Sequence, residues 1–194
     1  WRQGCETIAC SPDLGRLRVF WNKGLSEEML NTDAFQSILV GLPPNCALAA
    51  VLSYSFVAGS TVAKLLARGV DLRAVLVYPT PPLRVNPLVQ TSCHSRLEVV
   101  RLLLDAGARG PESKSENDPI HVAARFRRSG GVVDAMRLLY DAGLQPSYRE
   151  SPYQYNLLHF LTFPALNHHR ASTVLAIARL ICGRQPELLM EISN

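Results

Sequence analysis

Charge of one sign is never concentrated in this chain. Its net charge of +4 is spread along the sequence, and residues 101–150 hold eight Lys or Arg against seven Asp or Glu. That balance argues against a nucleic-acid partner, which calls for a basic stripe. Catalytic signatures are missing as well: there is no glycine-rich phosphate loop, G-x-S-x-G elbow, H-E-x-x-H pair or dinucleotide fingerprint. The five cysteines, Cys5, Cys10, Cys46, Cys93 and Cys182, are odd in number and scattered, so they do not read as a disulfide framework. Reduced thiols in the cytoplasm or nucleus are expected, and the absence of any N-x-Ser/Thr sequon agrees with an intracellular protein.

Long apolar runs are lacking too. Ala34 to Ala63 contains no charge, but "GLPPN" (41–45) interrupts it, and "CALAAVLSYSFVAGSTVA" (46–63) is rich in small and hydroxyl side chains. A span needs about 20 strongly apolar residues. Two buried helices around a Pro-Pro turn are expected here, and no membrane association.

Against these absences stands an echo. "VVRLLLDAG" (99–107) returns as "AMRLLYDAG" (135–143), 36 positions later. In both copies the apolar residues fall at helical spacing, and Glu98, Arg101 and Asp105 match Asp134, Arg137 and Asp141 on the opposite face. Gly107 and Gly143 close the copies as left-handed helix ends. A helix with one broad apolar face needs a partner, and a second copy supplies one, which is how stacked repeats build a core.

Upstream, "NPLVQTSC" (86–93) and "DPIHVAAR" (118–125) each open a shorter helix. Asn86 and Asp118 suit the N-cap, and Pro87 and Pro119 fall in the first turn, where a missing N–H is harmless. The unit is therefore helix, turn, helix, loop.

At these residues the chain resembles the ankyrin repeat family. "DPIHVAA" is similar to that family's Thr-Pro-Leu-His-x-Ala-Ala opening, and "RLEVVRLLLDAGA" to its second helix and following glycine. The resemblance implies an all-α, ankyrin-like solenoid of stacked helix-turn-helix repeats, with His121 as the turn-stabilising histidine bonded to Asp118. The first copy departs from the pattern, with Val89 in the histidine position and Gln90, Thr91 and Ser92 replacing small apolar residues. Weaker copies are expected at 46–72, built on "VAKLLARGVDL", and at 155–189, where Leu158 and His159 match Leu-His.

The resulting division is an N-terminal segment, 1–25, without clear structure, and one repeat domain, 26–194. Within the domain a helix over 26–40 with Ser26 as N-cap belongs to a cap at 26–44, and repeats cover about 45–76, 86–117, 118–154 and 155–194. The linker "VYPTPPLRVNP" (77–87), with four prolines, is expected to be extended. The distance from Pro87 to Arg101 is 14 residues, from Pro119 to Arg137 18, and from Leu157 to Arg179 22. The extra residues, "FRRSGG" and "FPALNHHRAS", therefore fall between the two helices of a repeat.

Chemistry is thin. In "CHS" (93–95) adjacent helical residues face apart, which disfavours a Cys–His nucleophile pair. His159, His168, His169 and Cys182 match no zinc spacing, and His159 has a structural role as a turn histidine. No catalytic residue, cofactor or metal is expected. Two stretches are suited to contact. Arg125, Phe126, Arg127 and Arg128 in "ARFRR" combine charge with an aromatic anchor, and by resemblance lie on the family's concave, partner-binding face. Tyr148, Arg149, Tyr153 and Tyr155 in "PSYRESPYQY" offer large rigid area with polar tips on an inter-repeat loop.

The expected function is a non-enzymatic scaffold or adaptor binding another protein through its concave face and loops. One alternative is a small-ligand or enzymatic pocket formed by the insertions at 125–131 and 163–172, with their histidines. A second, suggested by the start at Trp1 rather than methionine, is a regulatory segment of a longer polypeptide.

Overall fold

The computed structural model describes residues 27–30, 32–52, 57–73, 76–77, 84–94, 96–110, 118–126, 131–146, 156–162 and 170–190. These residues form an all-α structure with one two-residue antiparallel strand pair. The helices are α1 (Glu27–Leu30), α2 (Asp33–Gly41), α3 (Pro44–Leu52), α4 (Gly59–Leu66), α5 (Pro87–His94) and α6 (Leu97–Asp105), followed by α7 (Pro119–Phe126), α8 (Val132–Asp141), α9 (Leu157–Thr162), α10 (Ala171–Arg184) and α11 (Glu187–Met190). Strand β1 (Leu76–Val77) pairs with β2 (Arg84–Val85), Leu76 opposite Val85 and Val77 opposite Arg84. Val77, Arg84 and Val85 of the proline-rich linker are thus extended, but the antiparallel pairing turns the chain back between the two strands, and Pro87 opens α5.

The longer helices follow directly from the sequence period. In α6, Val99, Val100 and Leu103 are buried while Glu98, Arg101 and Asp105 are exposed; in α8, Ala135, Met136, Leu139 and Tyr140 are buried while Asp134, Arg137 and Asp141 are exposed. Each helix then stops in the same way. Gly107 and Gly143 have φ of 91° and 83°. The next N–H turns back onto the helix, from Ala108 to the Leu103 carbonyl at 2.8 Å and from Leu144 to that of Leu139 at 3.1 Å. Only a residue tolerant of positive φ makes this closure cheaply.

The shorter helices are started by side chains. Asn86 Oδ1 accepts from the N–H groups of Leu88 (2.9 Å) and Val89 (3.3 Å), and Asp118 Oδ1 from those of Ile120 (2.8 Å) and His121 (3.2 Å). Asn156 Oδ1 does the same for Leu158 (3.0 Å) and His159 (3.1 Å). Orphan donors of the first turn are thereby satisfied three times by one device.

Packing joins these pieces in two rows. Helices α4, α6, α8 and α10 lie side by side in chain order; α3, α5 and α7 form a second row; and α3/α4, α5/α6, α7/α8 and α9/α10 pair across the rows. Leu97 at the start of α6 abuts Gly131 just before α8, and the Glu98 carboxylate occupies the space beside Gly59 at the start of α4. At the opposite ends Arg184 pairs with Asp141. The helices of the longer row therefore run parallel, all starting at one edge. A single apolar cluster runs from Phe35 to Leu188 through every pair.

Several expectations need correction. The helix expected over 26–40 is two helices, because Thr32 breaks it: its Oγ1 donates to the Met29 carbonyl at 2.8 Å and accepts from Phe35 N at 3.3 Å, capping α2. Ser26 lies outside the described residues. The last long helix ends at Arg184, since Pro186 has no N–H to continue it, and α11 starts anew. Ala106, placed on the apolar stripe, is exposed at the helix end. Thr91 and Ser92, polar where small apolar residues were expected, are buried all the same. Their hydroxyls bond back to the Pro87 and Leu88 carbonyls at 2.7–3.1 Å.

One tie has no counterpart in the repeat pattern. The Arg68 guanidinium, just after α4, donates to the carbonyls of Leu39 (2.7 Å), Val40 (3.0 Å) and Leu42 (2.8 Å), closing the C-terminal end of α2. These carbonyls lie at a helix end, where that of Leu39 accepts only a long 3.4 Å bond from the Leu42 N–H, so a cation there serves both hydrogen bonding and the dipole. Arg68→Ala is expected to lower unfolding free energy by about 1–3 kcal/mol in urea titrations. Arg101→Ala, on the exposed face of α6, should change it by less than about 0.5 kcal/mol. Equal losses would contradict the clamp.

Candidate functional site

The residues expected to carry function fall mostly outside the described structure. Arg125 is placed, half-buried in the last turn of α7. Phe126 ends that helix, and Arg127, Arg128, Tyr148, Arg149, Tyr153 and Tyr155 lie outside the described residues. So do His168, His169, Cys5, Cys10 and most of both insertions.

Two buried polar residues of α7 lie on the same side as Arg125, and a separate buried bond joins α8 to the end of α10. Asp118, His121 and Arg125 share one side of α7 at i, i+3 and i+7, and Asp118 and His121 are 5 % and 3 % exposed. From α8, the Tyr140 hydroxyl donates to Gln185 Oε1 at 3.3 Å, at the end of α10. Burial, followed by the charge of Arg125, lowers the His121 pKa to about 4. Burial first, and then the Asp118 carboxylate, pushes the Tyr140 phenol above its usual range. Near neutral pH the imidazole is uncharged and the phenol protonated, and both are shut away from solvent. Neither suits proton transfer to a substrate, and Arg125 stands at the outer end of α7.

His159 behaves as a turn residue. His159 Nδ1 lies 3.0 Å from Asn156 Oδ1 and 3.4 Å from the Asn156 N–H, closing the first turn of α9 on its own cap. Among the described residues no group of His, Cys, Asp or Glu is arranged to hold a metal ion. Cys93 Sγ points to the Val89 carbonyl of its own helix at 3.6 Å, and Cys46, Cys93 and Cys182 are free thiols, all half-buried. No described helix is long and apolar enough to cross a membrane.

What sequence reasoning missed are the links that bind three of the repeat starts to a later backbone segment. Asn45 and Asp71 bond reciprocally, Nδ2 to the Asp71 carbonyl (3.4 Å) and Asp71 N to Oδ1 (3.1 Å). Asn86 Nδ2 reaches the Arg109 carbonyl (2.9 Å), and Asn156 Nδ2 that of Leu188 (3.2 Å). Asn156 stands three residues before His159, as Asp118 does before His121, and that spacing was the available signal. At the edge where the longer helices start, Arg96 and Arg170 are exposed cap residues, and no side chain caps α4, α6, α8 or α10 there. With Arg125 at the end of α7, this edge is where cations gather near helix N-termini.

No protein-family model, no curated protein and no solved structure matches this chain.

The His121 environment has a pH consequence. Its folded pKa lies below the unfolded value of 6.5, so the stability tied to the neutral ring is complete above that pH and is lost as pH falls towards about 4. The full loss is about 3 kcal/mol. The stability of His121→Gln, followed by denaturant midpoint between these two pH values, should fall less steeply than that of the unsubstituted chain. Parallel curves would contradict the assignment.

Proposed function

We propose that the chain is an ankyrin-like solenoid serving as a non-enzymatic protein-binding scaffold or adaptor. The observation that carries this reading is the recurrence of one unit in geometry as well as in sequence. A short helix is capped by Asn or Asp and, in the copy that starts at Asn156, fastened by the His159 ring three residues later. It pairs with a longer helix, which in two copies stops at a left-handed glycine. The second helices of the pairs laid parallel in chain order, with the first helices behind them, present edges and loops among the described residues.

On this reading partner contact falls to the segments where the copies differ. Arg125, at the helix-start edge and followed directly in sequence by Phe126, Arg127 and Arg128, supplies charge and a planar donor set suited to an acidic protein surface. The tyrosine-rich loop with Tyr148, Arg149, Tyr153 and Tyr155 is the second contact. The partner is a protein and not a nucleic acid, in keeping with the balanced charge, and the compartment is the reducing cytoplasm or nucleus. No observation favours the small-ligand alternative, since His159 is engaged with its own cap.

Affinity capture from the native cell with the Arg125→Glu/Arg127→Glu/Arg128→Glu variant tests the placement. Proteins retained by the unsubstituted chain should fall at least about tenfold, a loss of roughly 1.4 kcal/mol or more, while the helical circular-dichroism signal is unchanged. Undiminished capture would remove these arginines from the site.

A further inference from the structure

The proline-rich linker belongs to no helix pair, and its two ends are brought together. Val77 pairs with Arg84, so residues 78–83 connect β1 to β2; those six lie outside the described residues. Beside β1 packs α3, which fixes the base of the connection on the first repeat. Three of the six are prolines, Pro79, Pro81 and Pro82, and a proline has no N–H to lengthen a ladder.

What such a connection offers follows from covalent geometry. Each proline fixes its own φ, and Tyr78, Thr80 and Pro81, each standing before a proline, are biased to extended or polyproline II backbone. Tyr78 through Pro82 are therefore limited by sterics alone, so docking them as a polyproline II helix costs little ordering entropy. That helix repeats every three residues and rises about 3.1 Å per residue, which sets Pro79 and Pro82 on one face about 9 Å apart. Arg84 follows two residues later. Proline, two residues, proline, one residue, arginine is the order read by a groove whose aromatic walls take the prolines and whose carboxylates take the guanidinium. The arginine makes the pattern more specific than a bare pair of prolines, and it fixes the direction in which the segment lies.

We propose that residues 79–84 are a docking segment for a partner domain with an aromatic-walled polyproline II groove ending in carboxylates, a contact separate from the Arg125 edge. In the bound register residues 79–84 span about 15 Å, so Arg84 parts from Val77. The ladder given up holds two residues per strand, and a hairpin that small is marginal on its own.

Isothermal titration calorimetry of the full chain with a recombinant SH3 domain that binds P-x-x-P-x-R peptides should show saturable binding. Pro79→Ala/Pro82→Ala and, separately, Arg84→Glu should each weaken it at least about tenfold, with melting temperature unchanged. Arg125→Glu/Arg127→Glu/Arg128→Glu should bind as the unsubstituted chain does. A peptide of residues 77–87 measures the affinity of the segment alone. No binding by the full chain, whether or not the peptide binds, overturns the proposal, and so does binding indifferent to the two prolines or lost with the three arginines.

Discussion

A side-chain oxygen placed at the start of each short helix is the interaction on which the rest depends. Asn86, Asp118 and Asn156 each give one Oδ1 to two backbone N–H groups of the first turn, which allows those starts to be buried without orphan donors. Helices of 6 to 8 residues, such as α5, α7 and α9, are too short to persist alone. Capped, each packs on the following helix, and the same asparagines at 86 and 156 reach on to the carbonyls of Arg109 and Leu188.

From that constraint follows a division of labour. The shorter helices hold polar residues that bond locally, as Thr91 and Ser92 do to their own helix and His159 does to its cap. The longer helices carry charge in solvent, with Arg137 and Asp134 3.4 Å apart and both more than half exposed, a pair that contributes little stability.

Much of this was legible in the residues. The longer helices were announced by apolar spacing and by Gly107 and Gly143, and two caps by Asn-Pro and Asp-Pro. The insertions fell between the helices of a repeat, as the proline-to-arginine spacing required. Less legible was anything depending on a distant group. Arg68 reads as an ordinary surface cation until the helix-end carbonyls of Leu39, Val40 and Leu42, 26 to 29 residues away, are placed beside it. Thr32 looked like a helical position because its hydroxyl's competition with the backbone shows only in geometry. Of the candidate site, only Arg125 gained a described side-chain environment.

The dependence on side-chain caps is tested most directly by amide hydrogen exchange on Asp118→Ala. The N–H groups of Ile120 and His121 should lose protection, and the loss should spread to α5 and α8, which pack on α7, before reaching α3 and α4. Protection lost only at those two amides, or lost evenly along the chain, would contradict short helices held by their caps.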